Sequence, residues 1–133
     1  MKTRLAIAVT GLLLIAPLAA LAHHSFAAEF DGTKTVTLNG PVTKVEWTNP
    51  HIWIYMEHKD ASGATAKWQC EMGSPNTLTR QGWSRDSLKT GDVIKIAGSR
   101  AKDGSNTCNA RTVNLANGKQ MFAGSSETAA PTQ

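Results

Sequence analysis

The sequence predicts an all-β domain, a small barrel of five to six strands with one short helix between the third and fourth. Three observations predict it. Short runs of alternating apolar and polar residues recur between clusters of Gly, Pro, Asn and Asp. One segment, "GSPNTLTRQGW" at 73–83, breaks the alternation with helix-start chemistry. Three strand-like runs precede that segment and two follow it.

The first strand is "TVTLNGPVTKVEW", 35–47. Val36 and Leu38 share one parity and Val45 and Trp47 the other, so a bulge or sharp bend is expected between Gly40 and Lys44. "TNP" at 48–50 is a turn, 51–58 the second strand, and "DASGA" at 60–64 a hairpin loop. In the third strand, 65–72, Trp68, Cys70 and Met72 occupy one face and Lys67, Gln69 and Glu71 the other. Ser74 is a candidate N-cap, Pro75 suits the first helical position, and Gly82 is a stop. Thr90-Gly91-Asp92 turns into a fourth strand reaching 101, and 108–118 reads as a fifth. "KQMFAG" adds a short extension. Three strands, a helix and two strands is the order of an OB-type barrel, in which the helix connects strands three and four.

Before this domain lies a different kind of segment. Lys2 and Arg4, the apolar run "LAIAVTGLLLIAPL" and the small-x-small Ala20-Leu21-Ala22 form a secretory signal pattern. The expected organisation is a cleaved signal at 1–22, an N-terminal arm at 23–34, the barrel at 35–123 and a disordered tail at 124–133. The expected location is the periplasm or the medium, with no membrane span left after cleavage. Lys2 and Arg4 are two of 14 basic side chains, so the remainder is nearly balanced against 10 acidic ones. Scattered charge and an exported location together predict no nucleic-acid partner. A small ligand or a periplasmic protein is expected instead.

Cys70 and Cys108 would sit in a compartment where disulfides persist. An OB order makes their strands neighbours, but Cys108 has the opposite parity to Val113 and Leu115. A bridge therefore requires Cys108 to precede the regular strand or to follow a bulge. Otherwise the two are separate thiols.

"HHSFAAEFD", "VTKVEWTNPHIWIY", "EMGSPNTLTRQGWSRDSLKTGD" and "RAKDGSN" together resemble an exported bacterial family catalogued as domain of unknown function 6152. The resemblance covers residues 22–124 and implies a small secreted β-barrel without an assigned activity, so no catalytic residue comes with it. His23, His24, Ser25, Phe26, Trp47, Asn49, Pro50, His51 and Trp53 fall on its motif positions. The two cysteines depart from the pattern.

Two constellations carry chemistry. Ile52, Ile54 and Met56 should point inward, leaving His51, Trp53 and Tyr55 on the outer face of the second strand beside Lys67 and Gln69. That face of an OB barrel binds oligomeric ligands, and aromatic rings flanked by hydrogen-bonding groups suit a planar or sugar-like one. The competing expectation is that the arm, through Phe26 and Phe30, covers Trp53 and Tyr55. The second constellation is a metal site. Cleavage after Ala22 would expose the His23 amine beside its imidazole, with His24 and His51 as further nitrogen donors, a set suited to copper(II). No nucleophile–base pair, phosphate loop or paired carboxylates stand out, which points away from an enzyme.

Overall fold

Side-chain parity places the apolar faces of the strands inward as the alternation predicts, and Glu71 is buried against that pattern. A computed structural model describes residues 26–124. The expected signal segment, His23, His24 and nearly all of the expected tail lie outside the described residues. The elements are α1 (Phe26–Glu29), β1 (Phe30–Glu46), β2 (Trp53–Lys59), β3 (Thr65–Glu71), α2 (Pro75–Arg80), β4 (Val93–Ala101), β5 (Thr107–Asn114) and β6 (Gln120–Phe122). The sheet order is β3-β2-β1-β4-β5-β6, and a further pairing of β3 with β5 closes it into a ring. Neighbours are antiparallel except at that closure, which is parallel. This is the OB-like barrel expected, with α2 between β3 and β4.

β1 serves two partners. Its first part pairs with β4 as far as Pro41, and its last part with β2 from Val42. The expected change of parity is a bulge at Thr43, where Val42 faces Met56 but Lys44 faces Tyr55. Gly40 lies where the two parts meet. A Cβ there would stand 1.9 Å from the Glu57 carbonyl oxygen, so only glycine allows the strands to cross this closely. The strand also starts at Phe30 rather than 35, with an irregularity between Asp31 and Thr35.

The core is built from the inward faces of the strands: Leu38 and Val42, Ile54 and Met56, Trp68 and Cys70, Ile94 and Ile96, Val113 and Met121. α2 begins as read, with the Ser74 hydroxyl accepting from the Thr77 N–H and Pro75 at the first position. It inserts Leu78 into the core, and Trp83 follows it there, donating its indole N–H to the Phe122 carbonyl at 2.7 Å. The fifth strand is shorter than expected, because a turn beginning at Leu115 leads into β6.

The parity conflict of Cys108 is resolved by a second bulge. Gly98 faces Ala110 while Ala97 faces Thr112, so Arg111 is the extra residue and points to solvent. Cys108 and Ala110 on one side of it, and Val113 on the other, all face inward. Cys70 and Cys108 are direct partners in the parallel pairing, with Cα atoms 4.5 Å apart, and they form a disulfide that is wholly buried.

The bridge spans 38 residues of sequence. On the chain-entropy model, closing such a loop stabilises the fold by about 4 kcal/mol. The doubly substituted Cys70→Ala, Cys108→Ala protein is therefore expected to lose roughly that much unfolding free energy, measured by urea denaturation against the oxidised parent.

Candidate ligand groove and buried carboxylate

On β2, Ile54 and Met56 go inward, and Trp53 and Tyr55 stand half-buried on the outer face. Tyr55 is opposite Gln69 of β3, and Gln69 is opposite Thr107 of β5. The Gln69 side-chain amide donates to the Thr107 hydroxyl at 3.1 Å. A polar strip thus crosses three strands on the outside of the barrel, directly over the disulfide.

Two walls rise beside the strip. One is α1, which the sequence did not predict. Lys102 holds it by donating its backbone N–H to the Glu29 carbonyl and its ammonium to the Ala27 carbonyl. Phe26 stacks on Phe30 at 5.8 Å between ring centroids, and Phe30 is buried. The other wall is the β4–β5 loop, 102–106. The Asp103 carboxylate accepts the Ser105 N–H at 2.9 Å, and bonds from Ser105 hold that carboxyl below its ordinary range. Arg100 ties down the same loop by donating to the Gly104 carbonyl at 2.9 Å, while its guanidinium lies 5.4 Å from the centre of the Trp68 ring.

Between these walls is a cleft of about 540 Å³, bordered by Glu29, Trp53, Gln69, Lys102, Ser105 and Thr107. A second cleft of about 280 Å³ continues past Gln69 and Thr107 to Tyr55 and Lys67. The described part of the arm, from residue 26 on, therefore does not cover Trp53. It stands across an open groove from it. Tyr55 is anchored from β1, its hydroxyl donating to Glu46 at 3.1 Å and the Lys44 ammonium lying 5.2 Å from the ring centre.

His51 departs from its expected role. It does not border either cleft. Its Nδ1 engages the carboxylate of Glu71, which the alternation had placed outside but which is only 7 % exposed. Asn109, 4 % exposed and opposite Glu71 in the parallel pairing, supplies that carboxylate with a further hydrogen bond. Burial pushes the Glu71 carboxyl above its ordinary value, against the pull of His51; the charge of Glu29 pushes in the same direction as burial.

Of the expected site residues, the structure brings Trp53, Tyr55, Lys67 and Gln69 to one groove and sets His51 apart. His23 and His24 lie outside the described residues, and among the described residues no group of three or more His, Cys, Asp or Glu could hold a metal ion. The sequence reading missed Glu29, Lys102 and Ser105 in the walls and Thr107 in the floor. One cue was there: in an OB order the loop between strands four and five borders the face of strands two and three.

A model described as a family of unknown function, DUF6152, matches residues 11–110. No curated protein matches the sequence. Among solved structures, the chain resembles TiaS in a complex with a tRNA and ATP (TM-score 0.47, 21% identity, 64% of this chain and 18% of that one). It also resembles the mitochondrial single-stranded DNA binding protein Rim1 of S. cerevisiae (0.47, 8% identity, 62% and 92%). A third likeness is to the N-terminal domain of PriB from Thermoanaerobacter tencongensis (0.43, 23% identity, 62% and 96%). The chain spans less than a fifth of TiaS. These structures correct the expectation that nucleic acid is excluded as a partner. A protein in complex with a tRNA and a single-stranded DNA binding protein are among the structures the chain resembles, and scattered surface charge is no ground for exclusion.

The folded state holds the Glu71 proton more tightly than the unfolded chain, so the ionised carboxylate costs stability at neutral pH and acid relieves that cost. Glu71→Gln, which keeps the hydrogen bonds without the charge, is expected to match or exceed the parent's stability at pH 7. Glu71→Ala leaves Asn109 and His51 without this partner and should lose about 1–3 kcal/mol. Denaturant unfolding of the three proteins side by side measures both.

Proposed function

Because the chain belongs to the family of unknown function DUF6152, which brings no activity with it, we propose that it is an exported binding or accessory module. Its ligand lies along the outer face of β2 and β3, between α1 and the β4–β5 loop. The observation that carries this reading is the pair of joined clefts, in which one aromatic wall, Trp53, meets a row of uncharged hydrogen-bonding groups, Gln69, Ser105 and Thr107. The N-terminal sequence pattern supports export, and a buried disulfide accords with an oxidising compartment.

The test is NMR on isotope-labelled protein recovered from the periplasm of an expression host. Probes are neutral hexasaccharides, extended hexapeptides and an oligothymidylate. At least one probe class should shift the Trp53 indole N–H and the Gln69 side-chain amide, and Trp53→Ala should abolish the response. Shifts that map elsewhere, or no shifts with any probe, overturn the reading.

One observation favours a second reading, copper bound by His23, His24 and His51. A carboxylate on the Nδ1 of a histidine, as Glu71 is on His51, fixes the ring's tautomer and frees Nε2 for a ligand. The amine and imidazole of His23 would supply the remaining nitrogens together with His24. Copper(II) titration followed by EPR should show tight binding to the protein that starts at His23 and weaker binding after His51→Ala or after extension by one alanine. Equal, weak binding in all three removes this reading.

A further inference from the structure

We infer that the groove takes an uncharged oligosaccharide, an inference that rests on the groove being the binding site. The charges around it are the first ground. The Lys102 ammonium is committed to the Ala27 carbonyl. Arg100 donates to the Gly104 and Ser105 carbonyls and lies over Trp68. Lys44 is paired with Glu46. Against these stands Asp103, on the border of the larger cleft, its carboxyl held below its ordinary range by bonds from Ser105. Among the described residues the two clefts thus offer a single unpartnered cation, Lys67.

The remaining lining is the second ground. A pyranose ring has an apolar C–H face and a rim of hydroxyls that both donate and accept. The Trp53 indole offers a flat apolar surface for the first. Gln69, Ser105 and Thr107 offer amide and hydroxyl groups that donate and accept in turn for the second. These three residues border both clefts. A ring stacked on Trp53 would thus have neighbours reaching past Gln69 toward Tyr55, which calls for an oligomer and not a single sugar. The walls are also preset: α1 is tied by Lys102 and the loop by Asp103 and Arg100, so little ordering is left to be done on binding.

The experiment is isothermal titration of the exported protein with neutral hexasaccharides of β-linked glucose, α-linked glucose and N-acetylglucosamine, each at 20 and 300 mM salt, beside an oligothymidylate and a hexapeptide. At least one hexasaccharide should bind, with an affinity that changes by less than about twofold between the two salts, since no ion pairs form. Trp53→Ala should weaken it by about tenfold or more. Lys119→Ala, in the exposed turn before β6 and away from both clefts, should leave it within about twofold, and circular dichroism of both variants checks that they fold. Failure of every hexasaccharide overturns the inference. So does preferential binding of the oligothymidylate with a steep loss of affinity at high salt. If the oligothymidylate or the peptide shifts Trp53 and Gln69 in the NMR titration, only the ligand class is wrong. If nothing shifts them, the groove itself is not the site.

Discussion

Three residue pairs close this barrel. Gln69 meets Thr107, Cys70 meets Cys108, and Glu71 meets Asn109, in the parallel pairing of the sheet. A seam this short offers few backbone hydrogen bonds, and parallel pairing is slightly weaker per residue than antiparallel. The disulfide sits at its middle pair and faces the core. The two flanking pairs face the other way, and each does different work. Gln69 and Thr107 make the floor of the groove, while Glu71 and Asn109 form the buried polar contact that holds His51. Core, groove and His51 are thus all built on one seam.

The walls depend on the seam only indirectly. α1 is four residues long and would not persist as an isolated helix. It exists because Lys102, on the loop that leads from β4 to β5, satisfies two of its carbonyls. The same loop is stiffened from within by Asp103 and from beneath by Arg100. The groove is therefore bounded by two short segments that hold each other, placed over a floor that the bridge holds.

Much of this was legible in the residue pattern. The inward faces of β2 and β3, the cap and first turn of α2, and the bulge within β1 all follow from parity and capping, which are local properties. The conflict over Cys108 was legible too, as a choice between a bulge and two thiols; only the pairing of β4 with β5 shows that the extra residue is Arg111. What could not be read was tertiary in origin. Glu71 alternates like an exposed residue but is covered by His51 and Asn109, which come from other parts of the chain. α1 owes its helix to a lysine some 75 positions away. The exclusion of nucleic acid failed for another reason: it was drawn from scattered charge and an expected exported location, neither of which describes the lining of a particular cleft.

The bulge at Arg111 has a further meaning. It divides β5 into two parts, the first paired also with β3 through the bridge and the second with β6, while both remain paired with β4. The 115–118 turn and the β6 hairpin lie on one side of that residue, and the disulfide and the groove floor on the other. One strand therefore carries, on either side of a single extra residue, the free hairpin end of the sheet and the floor of the surface that would meet a ligand.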